Sequence, residues 1–159
     1  MLSLKVDTTL VASYNLSMNF RYIIDAEHNC VFIQQFGEVS FEQLWDQEVQ
    51  FSADPNHIIG MNILRNFTPA TIIPGYDVET IKRKARERQL LFDTLPGKNR
   101  KVAWVLSNAK DFKVFHQFCA FSRLNHHLID RQPFRNIGDA LKWLNIPEDY
   151  EIKHSDLNK

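Results

Sequence analysis

The segment Lys101 to Ser107 is centred on Val102-Ala103-Trp104-Val105-Leu106, an unbroken apolar run. It is too short for a helix, and Pro96-Gly97 and Ser107-Asn108 bound it, so it reads as a strand. His57 to Leu64 is a second apolar run, with one Gly60, suited to a strand covered on both faces. Such strands need helices on either side of a sheet, and the intervening segments supply them. Phe41 to Ser52 carries Phe41, Leu44, Trp45 and Val49 at helical spacing, with Glu48 as the polar exception. Ser40 is placed to cap it, and Asp54-Pro55 stops it. Asp77 opens a longer helix reaching about Thr94, with Val78, Ile81, Ala85, Phe92 and Leu95 on its apolar side. A third helix, Ala109 to about Leu124, follows a cap at Asn108 or Ser107 and sets Phe112, Phe115, Phe118, Cys119 and Ser122 on one side, with Phe121 near the edge.

Phe20–Asp25 and Cys30–Phe36 are rich in aromatic and β-branched residues and are separated by Ala26-Glu27-His28-Asn29, the pattern of an antiparallel hairpin. Arg65 to Tyr76 carries Pro69, Pro74 and Gly75 and reads as a loop. A last strand, His127 to Asp130, and a last helix, Ile137 to Leu144, finish the chain. Hairpin, then helix and strand three times, then helix, predicts an α/β fold: a small, mainly parallel sheet with an antiparallel N-terminal hairpin and helices packed on it. Residues 1–17 read as an extension, 18–150 as one domain and 151–159 as a polar tail.

Composition narrows the function classes. The 159 residues hold 19 Lys plus Arg against 19 Asp plus Glu, so no overall field draws the chain toward nucleic acid or an anionic membrane. No apolar run reaches the roughly 18 residues needed to span a bilayer, and Met1 to Ser17 lacks the pattern of a signal peptide. A cytoplasmic location is expected. Cys30 and Cys119 lack the spacing of a zinc site or redox pair and read as buried thiols.

The six histidines test for metal or acid–base chemistry. His126 and His127 are adjacent, and on a strand they point to opposite faces. His116 has no His or carboxylate four residues on, so the helical zinc pattern is absent. The glycines are scattered at Gly37, Gly60, Gly75, Gly97 and Gly138, which supports no phosphate loop, and there is no G-x-S-x-G elbow. No nucleophile–base pair, paired carboxylates or metal cluster emerges, so neither an enzyme nor a cofactor or metal is expected. The cations of Lys82-Arg83-Lys84-Ala85-Arg86-Glu87-Arg88 read as a solvated helix face rather than a docking surface, and nucleic acid is disfavoured because no aromatics interleave them. The aromatics Phe112, Phe115, Phe118 and Phe121, with Trp45, Trp104 and Trp143, read as core, with an apolar-ligand cavity as the alternative.

Three places stand out: Asp54-Pro55 ahead of Gly60, Val102-Ala103-Trp104-Val105 leading into an aromatic helix, and Phe134-Arg135-Asn136 with Ala140-Leu141-Lys142-Trp143-Leu144. Through them the chain, from about Met18 to Tyr150, resembles the SpoIIAA-like proteins, bacterial and mostly uncharacterised relatives of STAS domains whose fold is also compared with lipid-binding CRAL-TRIO domains. In two respects the chain departs from that pattern. Asn66 stands where relatives tend to have an Asp, and Thr68-Pro69-Ala70-Thr71-Ile72-Ile73-Pro74-Gly75 replaces the phosphorylatable Asp-Ser-Ser-Gly-like turn of the anti-sigma-factor antagonists, leaving only Thr68 and Thr71 as substitutes. The resemblance implies a noncatalytic binding or regulatory module, with a carrier of an apolar ligand or lipid as the alternative. Open α/β sheets bind outside the carboxyl ends of their parallel strands, which points to Arg65, Asn66, Thr68, Ser107, Asn108 and Asp130, with Thr71 in the adjoining loop. The expected partner is a protein or a small apolar ligand, and homodimerisation is compatible with the fold.

Overall fold

The computed structural model describes residues 10–15, 19–72, 79, 80, 82, 83, 86, 87, 99–125 and 129–151. Its strands are β1 (Leu10–Asn15), β2 (Phe20–Asp25), β3 (Cys30–Gln35), β4 (Gly37–Val39), β5 (Asn62–Asn66), β6 (Ala70–Ile72), β7 (Arg100–Val105) and β8 (Ile129–Phe134). The helices bounded by described residues are α1 (Phe41–Ser52), α2 (Ala109–Asn125) and α3 (Ile137–Trp143). Six strands form one sheet in the order β1-β2-β3-β5-β7-β8, and β4 and β6 form a small second sheet. The β1–β2 and β2–β3 pairs are antiparallel, while β3–β5, β5–β7 and β7–β8 are parallel. This is the mixed, mainly parallel α/β sheet expected from the sequence.

The hairpin turns at 26–29, where Asn29 takes φ +50° and donates to the Ala26 carbonyl at 3.3 Å. Asn tolerates this left-handed conformation better than most residues. Ser40 caps α1 as expected, within a full capping box: Ser40 Oγ accepts from the Gln43 amide at 3.2 Å, and Gln43 Oε1 accepts from the Ser40 amide at 2.8 Å. Asn108 caps α2 by accepting from the amides of Lys110 and Asp111 at 2.8 and 3.3 Å.

Two layers cover the sheet. On one face Val31, Ile33, Ile63, Val102 and Trp104 pack with Leu44 and Phe51 of α1 and Phe115, Phe118 and Cys119 of α2. Trp104 meets Phe115 edge to face at 4.6 Å and Phe118 at 5.3 Å. Enclosing each phenyl ring contributes about 1.5–3 kcal/mol. The other face is built from Cys30, Phe32, Leu64, Ala103 and Val105 against Ala140, Leu141, Leu144 and Ile146. Of the expected aromatic side of α2, Phe115, Phe118 and Cys119 are therefore core, with Phe112 partly buried against it, and both cysteines are buried and free.

Several boundaries differ from expectation. The strand placed at His57–Leu64 is β5, Asn62–Asn66. Gly60 takes φ +91° and Met61 donates back to the Ile58 carbonyl at 3.1 Å, so 57–60 is a turn with Ile58 and Ile59 exposed. Part of the expected loop Arg65–Tyr76 is strand: Arg65 and Asn66 end β5, and β6 pairs in parallel with β4. Leu10–Asn15, within the segment read as an extension, is a sheet strand in register with β2. The last strand runs Ile129–Phe134 rather than His127–Asp130. Apolar content alone misplaced it, because Asp130 and Arg131 interrupt the run while backbone pairing to β7 continues through Pro133 and Phe134.

Of the helix expected over Asp77–Thr94, Glu79, Thr80, Lys82, Arg83, Arg86 and Glu87 are helical, and the remainder lies outside the described residues. Arg83, Arg86 and Glu87 are exposed, and Lys82 and Arg83 lie 3.8 and 4.0 Å from Glu79 and Glu87. His126 and His127, the side chain of Trp45 and the tail after Glu151 also lie outside the description.

Candidate functional site

The carboxyl ends of β3, β5, β7 and β8 form one rim of the sheet, carrying Gln34, Asn66, Ser107 and Arg135 in neighbouring positions. At its centre Asn66 donates through Nδ2 to Gln34 Oε1 at 3.0 Å. Asn66 Oδ1 accepts from the Thr68 amide at 3.1 Å and from Thr68 Oγ1 at 2.9 Å. The Asn66 amide thus locks the chain leaving β5 into a turn, while Thr68 itself stays exposed. Thr71, on β6, is exposed as well, and β4–β6 pairing holds it opposite Glu38. Across the rim Asn108 caps α2, and the Ser107 carbonyl accepts from Arg135 Nη2 at 2.9 Å. Asn66, Thr68, Ser107 and Asn108 are brought to this edge, with Thr71 beside it.

Two expected site residues are elsewhere. Asp130 is the second residue of β8 and pairs with Lys101, which puts it at the amino ends of the parallel strands. There it lines a cleft of about 350 Å³ with Asn62, Asn99, Arg100, Lys101, Leu144 and Asn145. The displacement follows from the strand beginning at Ile129 rather than ending at Asp130. Arg65 belongs to β5 but faces the helices: it is 3% exposed and donates to Gln47 Oε1 of α1.

Arg65 is part of a buried polar layer that charge-based reading assigns to the surface. Arg100 and Arg131 are also buried, as are Gln35, Gln47 and Glu48. Gln47 Nε2 donates to Gln35 Oε1 at 3.1 Å, and Arg100 Nη2 pairs with Glu48 Oε1 at 2.5 Å. Arg131 lies over the Phe118 ring at 5.6 Å. Burial, and then the like charge of Arg100, pulls the Arg65 guanidinium down to about 9, and burial first brings Arg100 and Arg131 to about 10. All three stay cationic at neutral pH. Position i to i+2 alternation was the available signal, since Arg65 shares a face with Ile63, and Arg131 with Ile129.

Beside the rim, Phe112, His116, Cys119, Ala120, Gln132 and Pro133 line a cleft of about 260 Å³ between α2 and the edge strand β8. The Phe112 and His116 rings stack at 6.2 Å, and the Arg135 guanidinium lies 5.5 Å from the Phe112 ring centre. Sequence reading counted Phe112 as core and quoted Arg135 only within a structural motif.

At the far end of the α3 face, Asp25 accepts from the His28 amide at 3.1 Å, pairs with His28 Nδ1 at 2.8 Å and accepts from the Tyr150 hydroxyl. Burial pushes the Asp25 carboxyl up, but the hydrogen bonds from Tyr150 and His28 outweigh it and leave it below its ordinary value; burial and Asp25 push the Tyr150 phenol up. Tyr150 also stacks on Phe32 at 5.3 Å, so the cluster clamps the C-terminal segment to the sheet. Among the described residues no group of three or more His, Cys, Asp or Glu could hold a metal, and no helix is long and apolar enough to cross a membrane.

No protein-family model matches the chain, and no curated protein does. Among solved structures it is similar to an uncharacterised protein of the DUF3478 family with a SpoIIAA-like fold from Shewanella loihica PV-4, with a TM-score of 0.44 and 11% identity over 85% of this chain and 91% of that one.

Proposed function

We propose that this protein is a noncatalytic binding module of regulatory type, which receives a protein partner or small ligand on the rim formed by Asn66, Thr68, Thr71, Ser107 and Asn108. The observation that carries the reading is the Gln34–Asn66–Thr68 hydrogen-bond network. It fixes the backbone leaving β5, and the hydroxyl-bearing residues Thr68, in the turn, and Thr71, on β6, are exposed. A rigid base with an exposed polar lip favours recognition, because little order has to be gained on binding. The test is substitution at the lip. Thr68→Arg with Thr71→Arg adds bulk and charge at exposed positions while the amide of residue 68 still donates to Asn66 Oδ1, and with an unchanged urea midpoint it abolishes association with whatever the wild-type chain retains when isolated from its host. Unchanged association would contradict the reading.

A second reading, a carrier for a small apolar ligand, is favoured by the cleft between α2 and β8. At about 260 Å³ it falls below the roughly 300–1,000 Å³ of drug-sized ligand sites, so its cargo would be small. A carrier retains its ligand in the Thr68→Arg/Thr71→Arg variant, whereas a rim-binding module does not.

A further inference from the structure

We propose that the cleft beside the rim binds a small aromatic carboxylate, with the ring under Phe112 and the carboxylate on Arg135. This deepens the small-ligand carrier reading of the cleft and rests on it, independently of the rim. Phe112, His116 and Pro133 supply ring and apolar surface, and Cys119, Ala120 and Gln132 complete the lining. An enclosed apolar cavity of about 150 Å³ takes benzene, so a cleft of about 260 Å³ suits one ring plus a short polar group.

Arg135 specifies that polar group. It is exposed, one of its N–H groups is spent on the Ser107 carbonyl, and its guanidinium lies 5.5 Å from the ring centre of Phe112, which lines the cleft. Among the described residues its other N–H groups meet no partner, which leaves a planar donor fork fixed at two points beside an aromatic wall. A guanidinium held in this way matches the two oxygens of a carboxylate better than an ammonium would. His116 stacks on Phe112 at 6.2 Å and is exposed, and no acid is among the residues that line the cleft.

The test uses the full chain labelled with nitrogen-15, titrated separately with benzoate and with benzyl alcohol, which keeps the ring and lacks the charge. Benzoate shifts the amides of Phe112, His116, Cys119, Ala120, Gln132 and Arg135, and benzyl alcohol shifts the same set at roughly tenfold lower affinity. Arg135→Met lowers benzoate affinity to that of the alcohol, and Ala120→Phe, which fills the mouth from an exposed helix position, removes both responses. Equal affinity for the two probes, an unchanged response in Arg135→Met, or no shift at all overturns the proposal. Shifts confined to Thr68–Thr71 overturn the cleft assignment while leaving the rim-binding module standing.

Discussion

On the α3 side of the sheet, Cys30, Phe32, Leu64, Ala103 and Val105 meet Ala140, Leu141, Leu144 and Ile146 in a layer of apolar side chains. The α1/α2 side is also largely apolar, but it encloses Arg65, Arg100 and Arg131 together with Gln35, Gln47 and Glu48. The two faces therefore resist unfolding by different means. The α3 layer gains from every apolar contact and carries its buried carboxylate, Asp25, only at the edge, held by His28 and Tyr150. The polar layer has to offset the desolvation of cations, which a well-packed apolar replacement would not face. It sits beneath the elements that carry the rim, since Arg65 directly precedes Asn66. One face fixes the fold at little cost, and the other holds the chain that leads to the carboxyl-end rim.

The comparison breaks most visibly at Glu48. Glu48→Ala leaves the Arg100 guanidinium without its carboxylate in a buried site and costs about 3–5 kcal/mol, read as a lower urea midpoint. Replacing Glu48 and Arg100 together by Met recovers most of that loss, because the uncompensated charge goes with the pair. On the opposite face Leu141→Ala costs about 2–5 kcal/mol through the cavity it opens, and this loss is the same at pH 4 and pH 7. If Leu141→Ala instead shows the larger dependence on pH, the contrast between the faces is wrong.

The edge cluster sharpens the contrast further. The folded Asp25 carboxyl lies below its ordinary value of 3.8, so its stabilising contribution is complete above that value and is lost as pH falls through the folded one. Asp25→Asn weakens charge-assisted hydrogen bonds, costs about 1.5–3 kcal/mol at neutral pH, and flattens this part of the acid unfolding profile. Smaller effects belong to local structure. Ser40→Ala removes half of the α1 capping box and costs about 1 kcal/mol. Val49→Ser, at a helix position 67% exposed, stays within about 0.5 kcal/mol of wild type.

What could be read in advance follows the same division. Signals carried by a few neighbouring residues gave α1 with its Ser40 cap, the strand around Trp104, and the aromatic face of α2. Each depends on spacing within one element. The start of β5 was missed because Ile58 and Ile59 look like core, yet the turn at Gly60 exposes them. The buried arginines were missed because a guanidinium is ordinarily exposed, and the alternation that sets Arg65 beside Ile63 and Arg131 beside Ile129 is a weaker signal than the charge. The position of Asn66, Thr68, Ser107 and Asn108 at the carboxyl ends of the parallel strands was legible from the order of strands and helices. Arg65 and Asp130 were misplaced by strand facing and strand register, which tertiary pairing sets. The cleft that brings Phe112 to Pro133 joins residues 21 apart in the chain and leaves no local signature.

Native mass spectrometry of the protein isolated gently from its host, compared with its mass after denaturation, tests the binding reading most directly. The account predicts a reproducible additional mass, small molecule or second polypeptide, that is lost on denaturation and absent from the Thr68→Arg/Thr71→Arg variant. A bare chain mass under both conditions, identical for wild type and variant, would contradict it.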